Sequence, residues 1–332
     1  MPRVHNKRCK CFYSRIIKTN LNEKKTRRII NTTIFSLIMI LVFTEVGLRI
    51  SSEIYLKNNF LEIEQDNKNS TVILTLGESS TAGLWVEQKD SYPYQLQNLL
   101  RTKYSTKEIH IALPIHMGHN TGQVSNRIKQ HIELYKPEII VAMMGYNNEW
   151  SFAESHITKF MKSFKVSMIV TLDHSRLFRL TRYLFLKIKT DKQEEKELNR
   201  EDYIWGGPEV VRFPLEKWIF GIAKNNQEEF VKLWHHDMKI ISDAAKENNI
   251  TLIIMTYHIN PSYLDSTEFQ KFTEKENLIL IRNDLLFEPL IKNGSIKEYV
   301  FEIDNWHPNK KGYELIANNL FERIVEYNLL GK

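Results

Sequence analysis

Five short apolar runs, rich in β-branched and aliphatic residues, alternate with stretches of helical spacing along most of the chain. The runs occupy residues 71–76, 108–113, 138–144, 251–257 and 277–281. Helical spacing is found between them, as in residues 91–104 and 122–135, and an amphipathic stretch at 309–327 follows the last run. Strands that alternate with helices form parallel βαβ units. The pattern predicts a three-layer α/β/α sandwich with a mainly parallel five-stranded sheet, whose ligand site lies at the carboxyl ends of the strands.

Residues 29–50 form a longer apolar segment that precedes this pattern. Its part from 29 to 48 is about twenty residues long, enough to cross a hydrocarbon core of roughly 30 Å as a helix. Glu45 is the only charged residue of that part. A cleaved signal peptide and a buried core helix are the alternatives. We favour a retained transmembrane anchor, because a signal peptide would have a shorter apolar region and a shorter basic region before it.

The positive charge of the chain is concentrated before this segment. The chain has 46 Lys and Arg against 40 Asp and Glu, whereas residues 1–28 have ten against one. The tail therefore carries a net charge of +9 and the remaining residues −3. A nucleic-acid-binding domain would carry its positive charge on the folded surface, so nucleic acid is not expected as a partner. Basic residues directly before an apolar segment predict a cytoplasmic N-terminus and a periplasmic or extracellular domain.

The predicted organisation has four parts: a basic cytoplasmic tail at 1–28, a transmembrane anchor at 29–50, a polar linker at 51–70 and a folded domain at 71–332. Within the domain, an insertion at about 151–236 interrupts the strand and helix pattern. Both cysteines, Cys9 and Cys11, lie in the tail. A disulfide framework or a cysteine-based zinc site is therefore excluded from the domain.

Residues 77–81, Gly-Glu-Ser-Ser-Thr, follow the first predicted strand. They fit either a turn in which a serine caps the next helix, or a tight strand-to-helix turn that presents a nucleophile. Asp304 and His307 lie near the other end of the chain, just before the amphipathic stretch, where Asn309 could cap a helix. A serine hydroxyl becomes a nucleophile when an imidazole accepts its proton and a carboxylate orients that imidazole. This pair favours the second interpretation.

The motifs resemble those of the SGNH or GDSL-type serine hydrolases. The first block of that family, Gly-Asp-Ser, is matched by Gly77, Glu78 and Ser79, with Glu in place of Asp. Its last block, Asp-x-x-His, is matched by Asp304 and His307. The resemblance spans residues 72–148 and 300–320. It implies the flavodoxin-like SGNH fold and a Ser79–His307–Asp304 catalytic triad.

The two middle blocks of the family supply donors to the oxyanion. The resemblance assigns one donor to the backbone of Gly118, with Gly122 as an alternative register, and another to the side chain of Asn147 in the sequence Gly145-Tyr-Asn-Asn. The N–H of the nucleophilic serine is the third. Asn148 replaces the family's Asp, which changes the hydrogen bonds that support the loop.

Other histidines suggest no metal site. His116 and His119 are three residues apart, and His235 and His236 are adjacent, but no acidic residue stands at a recognisable ligand spacing. We therefore expect neither a metal nor a cofactor.

The insertion has three segments of different character. Residues 159–189 are basic, apolar and aromatic, and either pack on the α/β core, which we favour, or rest on a membrane surface. Residues 190–202 are charged and expected to be solvated. The aromatic residues of 203–218 suit either sugar stacking or ordinary loop packing.

The resemblance leaves three classes of function open. The first is a membrane-anchored serine esterase that removes an O-acyl group, acetyl above all, from a cell-surface or periplasmic glycan or a small ester. The second is an O-acyltransferase on the same scaffold, with a sugar hydroxyl as acceptor. The third is a non-catalytic glycan-binding or assembly protein.

Overall fold

The computed structural model describes residues 7–60, 70–114, 118–191, 214–302 and 305–331. The chain divides into two compact units, Met1–Asn59 and Phe60–Lys332. Asp304, His116 and residues 192–213 lie outside the described residues. The last of these ranges contains most of the predicted charged segment 190–202 and of the aromatic segment 203–218.

The described residues of the first unit belong to one helix, α1, which spans Lys7–Phe60. Its stretch Thr26–Ser51 has a mean hydropathy of 2.0 over its most apolar window and is long and apolar enough to cross a membrane. Glu45 forms an ion pair with Arg49 one turn later, at 2.8 Å, so its charge is partly neutralised. The helix continues through the first half of the predicted linker. That the segment crosses a membrane remains a prediction.

The second unit contains a five-stranded sheet in which every pair of neighbouring strands is parallel. The strands are β1 (Thr71–Gly77), β2 (Ile109–Ala112), β3 (Ile139–Met143), β4 (Thr251–Met255) and β5 (Ile279–Ile281). Their order across the sheet is β2-β1-β3-β4-β5. The predicted fold class is confirmed, and all five predicted strands are present.

Helices cover both faces of this sheet. The helices of the α/β pattern are α2 (Ser79–Ala82), α3 (Tyr92–Lys103), α4 (Thr121–Ser125), α5 (Ile128–Tyr135), α9 (Gln227–Glu247), α10 (Ser266–Glu276), α11 (Asp284–Lys292) and α12 (Lys310–Glu326). α3 packs with α12, whereas α9 packs with α4, α5 and α10. The crossover from β1 to β2 runs across the sheet in the opposite direction to the crossovers between the later strands. Because crossovers are right-handed, the group of α3 and α12 lies on one face and the group around α9 on the other.

The described residues of the predicted insertion are largely helical, and two of its helices pack on the α/β core. α6 (Phe164–His174), α7 (Arg176–Asp191) and α8 (Pro214–Asn225) precede α9. Val166 and Ile169 of α6 and Ile219 of α8 are buried in the main hydrophobic core. Trp150 stacks on Phe220 with ring centroids 4.5 Å apart. Packing is therefore observed for the inner face of α6.

Candidate active site

Ser79 lies at the turn between β1 and α2, at the carboxyl end of a central strand. Its Oγ is 2.8 Å from Nε2 of His307, which is 228 residues later in the chain. The turn needs glycine at position 77, because a Cβ there would lie 1.9 Å from Thr81 Oγ1 and 2.8 Å from the Met143 carbonyl oxygen. The residue that caps α2 is Glu78, and its side chain makes no capping bond. A serine cap of α2, the other interpretation of this turn, is therefore not observed.

The neighbouring serine, Ser80, is arranged differently. It is buried, and its Oγ has no hydrogen-bond partner among the described residues. The two hydroxyls are therefore distinguished by their surroundings: the Oγ of Ser79 contacts an imidazole and that of Ser80 does not.

The loop that carries His307 is held on both sides of the histidine. Val300 and Pro308 form an antiparallel bridge, and the Phe301 N–H donates to the His307 carbonyl at 2.9 Å. The ring of Trp306 lies perpendicular to the His307 ring, with centroids 4.6 Å apart. Asn309 caps α12 by accepting from two backbone N–H groups, as predicted. These contacts fix the imidazole at the mouth of the sheet.

Asn147 lies in the loop that follows β3, and β3 pairs directly with β1, the strand that precedes Ser79. Its side-chain Nδ2 donates to the His119 carbonyl at 3.1 Å, which uses one of its two N–H groups. The loop begins at Gly145, whose φ of +136° suits only glycine, and a Cβ there would lie 2.9 Å from the Trp234 ring. The structure therefore brings together the loops that follow β1, β2 and β3.

Gly118 directly precedes the carbonyl that accepts from Asn147. It adopts φ +73°, and a Cβ at this position would meet nothing within 4 Å. Gly122, the alternative register, lies within α4, where a Cβ would be 2.8 Å from the Glu154 carbonyl oxygen. Close packing of α4 against the Glu154 backbone thus accounts for Gly122. Burial and the charge of Arg127 lower the pKa of His119 to about 4, so its ring is neutral at pH 7.

The carboxyl group of Glu78 holds the Asn147 loop, a role that the sequence did not indicate. One of its oxygens accepts from the backbone N–H groups of Gly145 and Asn147, at 3.0 and 3.1 Å. The other accepts from the Tyr257 hydroxyl at 2.8 Å. Burial raises the pKa of Glu78 to about 7, and the bonds from Gly145, Tyr257 and Asn147 oppose a larger increase. A central, buried acid therefore organises the loop.

Asn148 is buried and supports the same loop through its amide. Its Oδ1 accepts from the Thr121 N–H at 2.9 Å, and its Nδ2 donates to the Tyr263 hydroxyl at 3.0 Å. Tyr263 in turn donates to the Gly145 carbonyl at 2.6 Å. An aspartate at 148 would lack the donor that Tyr263 accepts. The amide therefore suits this position.

A cluster of His156, His236 and Asp237 was also missed, although Asp237 directly follows His236. Both imidazole Nδ1 atoms lie near one Asp237 oxygen, at 2.6 and 3.1 Å, and the Thr121 hydroxyl is 2.5 Å from the other. These atoms could serve as metal ligands. As arranged, they already bond to one another, and Lys159 Nζ is 2.9 Å from His236 Nε2. The geometry is that of a buried carboxylate surrounded by hydrogen-bond donors.

No family model and no curated protein matches the chain. Among solved structures, it is similar to the psychrotrophic esterase EstA from Pseudoalteromonas sp., with a TM-score of 0.44, 13% identity and coverage of 78% of this chain and 98% of that one. It is also similar to a mutant of Axe2, an acetyl-xylooligosaccharide esterase from Geobacillus, with a TM-score of 0.47, 13% identity and coverage of 78% and 96%. An acetyl xylan esterase, AlAXEase, gives a TM-score of 0.44, 14% identity and coverage of 76% and 99%. The assignment of the fold rests on the strand order and direction given above.

Proposed function

We propose that this chain is a membrane-anchored serine esterase that hydrolyses an O-acyl ester, acetyl above all, on a cell-surface or periplasmic glycan. The observation that carries the proposal is the 2.8 Å contact between Ser79 Oγ and His307 Nε2 at the carboxyl end of a central parallel strand. A serine hydroxyl in contact with an imidazole is the arrangement that activates an oxygen nucleophile.

In the proposed reaction, His307 accepts the Ser79 proton while Oγ attacks the ester carbonyl carbon. Asp304 orients the imidazole and stabilises its protonated form. The tetrahedral oxyanion accepts hydrogen bonds from the Ser79 N–H, the Gly118 N–H and the Asn147 amide. His307 then gives its proton to the leaving alcohol. Water attacks the acyl-enzyme by the reverse proton path and releases the acid.

The contacts around Asn147 support its proposed role. A donor that stabilises developing charge is effective when it is held in position before the reaction. The Asn147 backbone is held by Glu78, and one side-chain N–H is held by the His119 carbonyl. The second N–H of the amide remains for the oxyanion.

The membrane part of the proposal comes from α1. The apolar segment from residue 29 follows a 28-residue tail with ten basic residues, which supports a cytoplasmic N-terminus and an esterase domain outside the cytoplasm. A glycan ester of the cell surface or periplasm is the substrate class that this location supports.

Ester turnover by matched serine variants tests the proposal. Ser79→Ala should lower kcat for a small acetyl ester by about three orders of magnitude, since only binding and the oxyanion donors would remain. Ser80→Ala removes a buried hydroxyl that bonds to none of the described residues and should leave kcat near that of the wild type. Equal turnover by wild type and Ser79→Ala would exclude the serine mechanism and favour a binding protein.

Adding a glycan acceptor separates hydrolysis from transfer. The esterase releases free acid at a rate that the acceptor does not change. Acylated glycan as the main product, lost in Ser79→Ala, would instead assign the O-acyltransferase.

A further inference from the structure

The outer face of α6 exposes a stripe of apolar side chains. Phe164, Met168 and Leu172 recur every four residues and so share one side of the helix, and Phe164 is 85% exposed. The opposite side buries Val166 and Ile169 in the core. α6 is thus apolar on both faces, although only one of them packs on the domain.

A tryptophan from α8 extends this stripe. Trp218 is 51% exposed, and the ammonium group of Lys165 lies 5.0 Å from the centre of its ring. Lys165 lies about 100° round the helix from Phe164, so this contact puts Trp218 at the edge of the stripe. We call Phe164, Met168, Leu172 and Trp218 the α6 surface. Single exposed apolar residues are common, whereas a contiguous group of large ones marks a surface that contacts something.

The charge around the α6 surface is positive. Residues 159–184 contain six Lys or Arg and one acid, Asp173. Asp173 is buried and paired with Arg182 at 2.9 Å, so it adds no negative charge to the exterior. Lys162, two residues before the start of α6, and Lys165, in its first turn, are both exposed. A partner that fits this surface must offer both an apolar layer and negative charge.

The interface of an anionic bilayer offers both. Helices with aromatic and aliphatic side chains on one face and flanking lysines bury that face at the boundary between headgroups and acyl chains. Each basic residue near an anionic surface strengthens this attraction. The candidate span Thr26–Ser51 would tether the domain to a bilayer, which raises the effective concentration of lipid at the surface.

We propose that the α6 surface docks on the membrane, with its apolar side chains at the level of the lipid headgroups and acyl-chain ends, and with Lys162 and Lys165 against anionic headgroups. The proposal rests on the proposed membrane anchorage and is independent of the esterase chemistry. Docking would fix the orientation of the domain relative to the lipid surface, which a single tethering helix does not do.

Depth-dependent quenching in proteoliposomes tests this docking with the full chain. Cys9 and Cys11 are replaced by serine, and one environment-sensitive thiol label is attached at Phe164→Cys. The matched control is Ile291→Cys on α11, another apolar residue that is 47% exposed. Phe35→Cys, within the candidate span, reports the anchorage itself. Quenching by bromine-labelled lipid is compared in vesicles of phosphatidylcholine alone and of phosphatidylcholine mixed with phosphatidylglycerol.

We expect quenching at 35 in both vesicles, strong quenching at 164 that increases with phosphatidylglycerol, and little quenching at 291. Quenching at 35 with equal, weak quenching at 164 and 291 would overturn the docking and leave the anchorage intact. Absence of quenching at 35 would overturn both. A label at 164 that neither lipid nor aqueous iodide quenches would show that protein covers the surface, which also contradicts the proposal.

A charge-reversal pair tests the electrostatic part. Lys162→Glu with Lys165→Glu should abolish the increase with phosphatidylglycerol at position 164, whereas Lys129→Glu with Lys297→Glu, two exposed lysines elsewhere, should preserve it. Esterase turnover of a small soluble ester should be unchanged in both pairs, so failure of the docking is distinguishable from failure of the enzyme. An increase that survives the first pair would refute the role of these lysines.

Discussion

The buried carboxyl group of Glu78 can be tested by replacing it with an amide. Three of its described partners, the N–H groups of Gly145 and Asn147 and the hydroxyl of Tyr257, act as donors. Glu78→Gln keeps the shape of the side chain but replaces one acceptor oxygen by a donor. The Tyr257 hydroxyl must then accept instead of donate, and we expect this reversal to displace the Asn147 loop and lower kcat.

The stability of this variant relative to the wild type should depend on pH with a definite sign. Burial raises the pKa of Glu78 from 4.5 to about 7, so the folded protein keeps a proton that the unfolded chain releases between these values. The contribution of this proton to stability is fully present below pH 4.5 and is lost as the pH rises through 7. A difference of one in pKa corresponds to about 1.4 kcal/mol, which gives a loss of about 3 kcal/mol in total.

Glutamine does not titrate, so the difference between the two proteins isolates this contribution. The free energy of unfolding of wild type minus that of Glu78→Gln should fall by about 3 kcal/mol from below pH 4.5 to above pH 7. Urea unfolding of the full chain in detergent, followed by tryptophan fluorescence and a second probe, measures it. Glu87→Gln, which removes an exposed acid, is the control. A flat difference, or one that rises with pH, would show that the three donors outweigh burial and that Glu78 is ionised.

Two further predictions concern the Asn147 loop. Asn147→Ala should lower kcat by about 10² to 10³ with little change in KM. Asn148→Ala should lower kcat far less, but it should lose about 1 to 3 kcal/mol of stability because it leaves buried groups unpaired. A folded Asn147→Ala enzyme with wild-type kcat on a small acetyl ester would contradict the oxyanion assignment. Gly145→Ala should disrupt the loop and unfold at lower urea than Gly294→Ala, since both glycines have positive φ but only the Cβ at 145 would contact Trp234. Equal urea midpoints for these two variants would mean that the contact is relieved without cost.

The sheet could be predicted because strands buried on both faces are continuous apolar runs. The ends of strands and helices were harder to predict, because contacts with residues distant in sequence determine them. The last predicted residue of the fourth run, Tyr257, lies beyond β4, where its hydroxyl donates to Glu78. The helical stretch 122–135 is broken between α4 and α5, where the Arg127 side chain donates to the Gln123 carbonyl at 2.6 Å and forms an ion pair with Glu154 at 2.9 Å. No local pattern encodes such partners.

The site divides in the same way. Short motifs with fixed spacing indicated Ser79, Asn147 and His307, because each position follows a strand or precedes a helix. The support for these residues comes from side chains distant in sequence. The bond between Tyr257 and Glu78 spans 179 residues, and that between Asp237 and Thr121 spans 116. A single sequence contains no signal for such pairs, so its motifs indicated the candidate catalytic residues but not the groups that position them.

Asp237 is the most remote of these supporting groups. It accepts from the two imidazoles of its cluster and from the hydroxyl of Thr121, whose backbone N–H donates to Asn148. The hydroxyl has one hydrogen and lies 2.5 Å from Asp237 Oδ2 and 3.0 Å from Asn148 Oδ1, so the shorter, charge-assisted bond to Asp237 is favoured. Asp237 therefore orients Thr121, and Thr121 orients the residue that follows Asn147.

A double-mutant cycle tests whether this path reaches the chemistry. Asp237→Asn places an amide N–H against the donors that now bond to the carboxylate, and it should lower both the stability and kcat. Asp243 is a half-exposed acid on the same helix, and Asp243→Asn should change neither appreciably. If Asp237 affects the reaction only by positioning Asn147, then Asp237→Asn should have little further effect on kcat once Asn147 is alanine, so the two effects should not add. Additive losses in kcat, in variants whose folding is confirmed by urea unfolding, would mean that Asp237 acts on catalysis by another route. A loss of stability with wild-type kcat would confine its role to folding, because a carboxylate that merely supports α9 has no reason to change the position of the oxyanion donor.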